Sequence, residues 1–250
     1  MPFDDDQVHL QPFVHATRSA KSLHFSLAET QSSMKLAQPD ALELEYTRLM
    51  MGFLLWQPQP QRIAMIGLGG GSLAKFCHRH LPLAQMSVVE INPHVIALRD
   101  EFAVPPDGPR FEVVRGDGAR FIKTRPAAFD VLLIDGYDYD GLPGQLATGE
   151  FYDDCFACLR PAGMVVANVH VEHSDYAAIV ERVGRSAGAP ALPVLGRERG
   201  NAIVFARKAM ALDAPPPLPA RKPQSLAESQ WQSLQAAFAR VRAALARPAP

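Results

Sequence analysis

An α/β fold built on a doubly wound sheet is what this sequence predicts, and three observations predict it. From Arg62 to Ala206, short apolar runs alternate with helix-patterned segments; a glycine-rich turn, Gly67–Gly71, joins the first run to the first helix; and Glu90, Asp117 and Asp135 stand at or just past the ends of later runs. Strand, helix, strand repetition brings parallel strands together with helical crossovers on both faces, and ligands of such sheets sit beyond the carboxyl ends of the strands.

The elements follow in chain order. Between Val14 and Gln38 the chain alternates polar and apolar residues in two bursts, Ser22–Leu27 and Gln31–Leu36, which is a hairpin signature. Pro39-Asp40 opens a helical run with Leu42, Tyr46, Leu49, Met50, Phe53 and Leu54 on one face, stopped by Pro58 and Pro60. Strands are then expected at Arg62–Ile66, Gln85–Glu90, Phe111–Arg115, Phe129–Ile134, Gly163–Val169 and Asn201–Ala206, counted toward a sheet of seven. Helices are expected at Ser72–His80, Pro93–Phe102, Ala119–Thr124, Glu150–Leu159 and Ser174–Ser186. The proline-rich segment 213–223 reads as an extended linker. After it, Trp231, Leu234, Phe238, Val241 and Leu245 make one apolar helical face, with Ser225 and Glu228 at capping-box spacing, and the expected role of that face is docking on the chain's own domain. Four segments result: an N-terminal β-hairpin and helix (1–57), a Rossmann-like catalytic domain (58–208), a linker (209–224) and a C-terminal amphipathic helix (225–250).

Composition narrows the function. The 250 residues carry 25 basic and 26 acidic side chains, a net charge of −1, so the wide basic field that nucleic-acid binding uses is missing. The 48% hydrophobic fraction is that of a globular chain, yet no run reaches the ~20 apolar residues a membrane span requires. The three cysteines, an odd number, fit a reducing compartment, and the expected location is cytoplasmic. Cys155 and Cys158 form a C-x-x-C within an expected helix and read as buried thiols, so no metal is expected.

The chemistry begins at Gly67-Leu-Gly-Gly-Gly-Ser72. Glycines between a strand and a helix let backbone amides approach a ligand closely, and Gly67, Gly69 and Gly70 are taken as the contact points. Glu90 ends the next strand 23 residues after Gly67, where a carboxylate can accept from both hydroxyls of a ribose. Asp117, with Gly118 behind it, closes the third strand, where an adenine amino group could donate to it. Together these describe an adenosine pocket. A dinucleotide fingerprint wants glycine where Ser72 stands and gives Asp117 no task, so a sulfonium donor fits better. Asp135, Tyr137 and Asp138 follow the fourth strand. Carboxylates interleaved with aromatic rings suit an ammonium acceptor that must be held, oriented and deprotonated before its lone pair attacks.

These residues resemble the spermidine synthase family from about Gln31 to Ala206. Gln31-Ser-Ser-Met34 and Tyr46 are similar to the family's segment before the core, Ile66–Ser72 to its glycine loop, and Glu90-Ile-Asn to its ribose motif. Gly116-Asp117-Gly118 resembles its adenine contact, Asp135 with Asp138 its two substrate-facing aspartates, and Phe151-Tyr152 the pair that follows. The resemblance implies a Rossmann-like sheet of the class I methyltransferase type, Asp135 as the base for the attacking amine, Asp138 as holder of its ammonium, and Gln31, Tyr46 and Tyr137 as lining for the acceptor. Two departures are visible: the family has an aspartate where Gly70 stands, an acid that pairs with the free ammonium of a decarboxylated donor, and Leu192–Asn201 lacks its tyrosine near the acceptor. Gly67–Leu73, Asn168 and Asn201–Phe205 are also similar to spermidine-synthase-like lysine methyltransferases that use intact S-adenosylmethionine.

The expectation is therefore an alkyl transfer, foremost aminopropyl, to a small polyamine, with decarboxylated S-adenosylmethionine or S-adenosylmethionine as donor substrate. Methyl transfer to an amine is the rival, and a non-catalytic nucleoside-binding protein or an NAD oxidoreductase stand further off. The partner expected is a small-molecule amine, with no nucleic acid and no membrane; a homodimer is admitted.

Overall fold

The structure, a computed structural model, describes residues 9–26, 31–137, 141–197, 200–212 and 222–246. It opens with an antiparallel meander of β1 (Phe13–Ala16), β2 (Ala20–His24) and β3 (Ser32–Lys35), one strand more than the expected hairpin. Thr17 makes the first turn, its hydroxyl oxygen accepting from the Ala20 amide at 3.0 Å. Leu23, Ser32 and Met34 are buried, so the meander packs one face inward. The helix expected from Pro39 starts only at Glu45: α1 (Glu45–Met50) runs into a 3₁₀ turn, Met51–Leu55. The Arg48 guanidinium donates to the carbonyls of Leu42 and Glu43, satisfying backbone that is not helical there.

The main sheet holds β4 (Arg62–Ile66), β5 (Gln85–Glu90), β6 (Phe111–Arg115), β7 (Phe129–Ile134), β8 (Leu159–His170), β9 (Leu192–Leu195) and β10 (Asn201–Arg207). Their order is β6-β5-β4-β7-β8-β10-β9. The first five in chain order are parallel, as the helical crossovers require, but β10 runs antiparallel to β8, and β9 antiparallel to β10, so the sheet is mixed. β9 is the seventh strand; Pro193 within it erases the local strand pattern. The crossovers are α2 (Ser72–His80), α3 (Pro93–Ala97), α4 (Gly118–Lys123), α5 (Gly149–Cys158) and α6 (Tyr176–Ala187). α3 is shorter than its apolar pattern suggests. Apolar side chains from the strands form two cores, one on each face of the sheet. Cys77, Cys155 and Cys158 are buried there as free thiols, and burial pushes all three up in pKa.

α7 (Glu228–Leu245) lays Trp231, Leu234, Phe238 and Val241 against α1, the 3₁₀ turn and β9. The approach is close: a Cβ on Gly52 would stand 2.9 Å from both Phe205 Cζ and Val241 Cγ2. Arg240 pairs with Glu45 and donates to the Leu195 carbonyl, fastening α7 to the residue before Tyr46 and to the end of β9. The capping box does not form. Ala227 is the N-cap, and Ser225 instead bonds His80 Nδ1 at 2.7 Å, while His80 Nε2 meets Asp40 at 2.8 Å. His80 is buried, and its ring nitrogens compete successfully for the hydroxyl because they have no water to bond. Most of the 209–224 segment lies outside the described residues. No helix among the described residues is long and apolar enough to cross a membrane.

Candidate active site

The chain leaves β4 for β5 and β6 on one side, then returns to β7 on the other, which opens a crevice between the carboxyl ends of β4 and β7. Gly67 and Asp135 are the residues that leave those two ends, and the Asp135 amide donates to the Ile66 carbonyl at 2.9 Å. In the glycine loop, Gly67, Gly69 and Gly71 have φ of 89°, 52° and 70°, a left-handed region that side chains resist. A Cβ on Gly67 would lie 2.2 Å from the Asp135 carbonyl oxygen, whereas one on Gly69 would meet nothing within 4 Å. The first glycine thus serves close packing, and the space beside the second is open. Gly70 is different again: a Cβ there would stand 2.5 Å from Ser32 Oγ and 3.0 Å from Phe102. Ser32, from β3, fills the volume a side chain at position 70 would need, and its hydroxyl lies 3.3 Å from that of Ser72.

Glu90 is buried, and its two oxygens accept from the amides of Leu68 and Asn92, each at 2.8 Å. Burial pushes its carboxyl up, and the amides of Asn92, Leu68, Ile91 and Gly69 oppose that by favouring the anion. The side chain therefore braces the glycine loop as well as facing the cavity. Asn92 caps α3 through the His94 amide and donates to the Leu10 carbonyl at 2.8 Å, which brings the segment before β1 into the wall. Exchanging Glu90 for Gln is expected to weaken binding of an adenosyl donor by about 1–3 kcal/mol through lost charge-assisted bonds. Isothermal titration with methylthioadenosine measures it, and equal affinity would remove Glu90 from the donor's contacts.

Asp117 has a local job. Its Oδ1 accepts from the Arg120 amide at 3.0 Å as the N-cap of α4, and Oδ2 accepts from Gln145 at 3.3 Å. The cavity wall there consists of Gly116, Gly118, Pro143, Gln145 and Leu146, without Asp117 itself. Gln145 had no signal in the sequence, because it lies on a 3₁₀ turn 28 residues away from its partner.

At the other end, Asp135 is half-buried. Its Oδ1 accepts from Asn168 Nδ2 at 2.9 Å and its Oδ2 from the Tyr46 hydroxyl at 3.2 Å. Loss of water pushes its carboxyl up, against the pull of these two donors. Tyr46 is itself held far above its usual pKa, first by burial and then by the Asp135 charge, so it stays a neutral donor. The Tyr137 hydroxyl donates to the Asn168 carbonyl at 3.0 Å and accepts from the His170 amide at 2.8 Å, with its ring stacked on His170 at 4.2 Å. Tyr137 thus closes the wall beside Asp135. Asp138 lies outside the described residues.

One cavity of about 550 Å³, ordinary for a small-molecule site, has Gly67, Gly69, Gly70, Glu90, Gly118, Gln31, Tyr46, Asp135 and Tyr137 in its wall. Asn168, His170, Glu172 and Asn201 complete its far end. Among the described residues, its lining includes the acids Glu90, Asp135 and Glu172 and no Lys or Arg. A cavity of that charge favours cationic ligands, such as a sulfonium or an ammonium, over phosphates. No cluster of three metal-holding side chains occurs among the described residues.

Residues 43–192 match the spermine/spermidine synthase domain. The chain belongs to the spermine/spermidine synthase family. The polyamine aminopropyltransferase of Chromobacterium violaceum is 37% identical over 216 residues, 86% of this chain and 77% of that one. Among solved structures, a probable spermidine synthase from Corynebacterium glutamicum superposes with a TM-score of 0.68 at 24% identity, over 78% of this chain and 76% of that one. Human methyltransferase-like protein 13 in complex with SAH has the same fold, with a TM-score of 0.57 at 21% identity, over 83% of this chain and 95% of that one. Family membership bears out the resemblance seen in the sequence. In this chain Ser32 takes the space beside Gly70, and Asn201 lines the cavity beside Asn168.

Proposed function

We propose that this chain transfers the aminopropyl group of decarboxylated S-adenosylmethionine to an amine of a small polyamine. The observation that carries the reading is the juxtaposition, in one cavity whose described lining has no Lys or Arg, of a glycine loop and a half-buried, doubly hydrogen-bonded carboxylate. In this reading Gly67, Gly69, Gly70, Glu90 and Gly118 hold the adenosine half, with Asp117 at its edge, and Gln31, Tyr46, Tyr137 and Asp138 surround the acceptor. Asp135 takes a proton from the acceptor ammonium. The freed lone pair attacks the carbon attached to the sulfonium, that carbon–sulfur bond breaks toward sulfur, and methylthioadenosine leaves. With the reading go a cytoplasmic location and a division of labour in which 1–57 wall the acceptor, 58–208 hold the donor, 209–224 connect and 225–250 brace.

A second reading, methyl transfer from intact S-adenosylmethionine, draws on one observation: the neutral Ser32–Ser72 hydroxyl pair stands where an acid would repel a donor carboxylate. The nucleoside product separates the two, because it records which carbon–sulfur bond broke. Incubation with each donor and a linear diamine, followed by chromatography, is expected to yield methylthioadenosine from the decarboxylated donor. S-adenosylhomocysteine formed from the intact donor, with no methylthioadenosine, would overturn aminopropyl transfer.

A further inference from the structure

Behind Asp135 stands a second amide that the reaction as proposed does not use. Asn201 opens β10, in register with His170 on β8, and its Nδ2 donates to Asn168 Oδ1 at 2.8 Å. Asn168, 4% exposed, turns its own Nδ2 to Asp135 at 2.9 Å. A carboxamide has one donor end and one acceptor end, so what faces the oxygen decides what the nitrogen can reach. With Asn201 held as it stands, a turned Asn168 would set its oxygen against the Asp135 carboxylate and its NH₂ against the NH₂ of Asn201, two repulsive contacts in place of two hydrogen bonds. We propose that Asn201 is a positioning residue, which holds the Asn168 amide with its NH₂ toward Asp135 and so keeps Asp135 in the ionised form that can accept a proton.

The other groups around Asp135 cannot do this. Tyr46 on α1 donates to Asp135 Oδ2 through a hydroxyl that can turn, and the Tyr137 hydroxyl is engaged by the backbone of Asn168 and His170, so neither sets the direction of the Asn168 side-chain amide. His170 is stacked on Tyr137, and Glu172 and Glu90 are further acids of the same cavity wall. The donor to Asp135 Oδ1 thus comes from the β8–β10 side, while Tyr46 serves Oδ2 from α1. Burial pushes the Asp135 carboxyl up, and the bond from Asn168 is the foremost influence drawing it down.

The inference rests on Asp135 as the base, and its test separates the two. In the purified protein with ¹³C-labelled aspartate carboxyls, the Asp135 signal is identified by its loss in Asp135→Asn, and its titration is followed by NMR. Asn201→Leu is expected to raise the midpoint by about one pH unit, the size of one hydrogen bond to a charged group. Asn168→Leu should raise it as much, and the double variant no further, because both act through one contact. Affinity for methylthioadenosine should stay at the wild-type value in all three. Asn201→Ser, whose hydroxyl can still donate, replaces Asn201→Leu if the latter fails to fold, with a smaller rise expected. An unmoved midpoint in the Asn201 variant, or additive shifts in the double variant, would overturn the relay. A rise in acceptor KM alone would do the same and make Asn201 a direct acceptor contact. If instead Asp135→Asn turns over at the full rate, the base assignment fails while the relay stands or falls on the NMR midpoint.

Discussion

Asp135→Asn is expected to lower turnover by roughly 10²–10⁴-fold, the usual contribution of a general base, while methylthioadenosine binds as tightly as before. Asparagine has the shape of aspartate, and the Tyr46 hydroxyl can rotate to accept from the new NH₂, so the cavity wall survives the exchange. What is lost is the site that takes the ammonium proton. The wild-type pH profile carries the same signature. Burial raises the Asp135 carboxyl, with Asn168 and Tyr46 opposing it. Turnover should therefore fall with acidification as Asp135 takes up its proton, beginning at a pH above the ordinary aspartate value of about 3.9. Steady-state rates at saturating substrates measure both effects, and an Asn variant with an unchanged rate would end the assignment.

Gly67→Ala is expected to be the most damaging single change in the donor half, lowering stability by more than about 4 kcal/mol and abolishing donor binding. Two costs add. Left-handed backbone at φ 89° costs an alanine about 1–2 kcal/mol. The new Cβ would also stand 2.2 Å from the Asp135 carbonyl oxygen and 2.8 Å from its carbon, backbone atoms of a strand end that no rotamer change can move aside. Gly69→Ala is the control, since its Cβ would meet nothing within 4 Å, and it should cost only about 1–2 kcal/mol for its positive φ. Thermal unfolding of the two variants tests the difference. Equal midpoints would mean that the β4 and β7 ends are free to separate.

Local sequence carries a residue's role where that role depends on near neighbours. Gly67–Gly71 sits between a strand and a helix, Glu90 ends an apolar run, and Asp135 follows another. Each of these positions is defined within about ten residues, and period and turn chemistry act over that range. The helix starts at Glu45 and Glu228 depart from the local pattern for the complementary reason. Arg48 satisfies backbone upstream of α1, and Ser225 is drawn to His80, a partner 145 residues away in the chain. Local pattern offered Ser225 a cap, and a buried imidazole offered it a better bond.

The same division runs through the site. From the order of its residues alone, the chain determined a parallel α/β core, a glycine turn at its first strand, and carboxylates at the strand ends. Tertiary structure decided what each of these groups touches. It set Tyr46 on Asp135 across 89 residues, gave Asp117 to α4 as a cap, closed the space beside Gly70 with Ser32, and reversed β10 so that Asn201 reaches Asn168. Periodicity specifies which face of an element is buried, whereas register and strand direction specify which side chain lies opposite, and those are settled only when the sheet assembles.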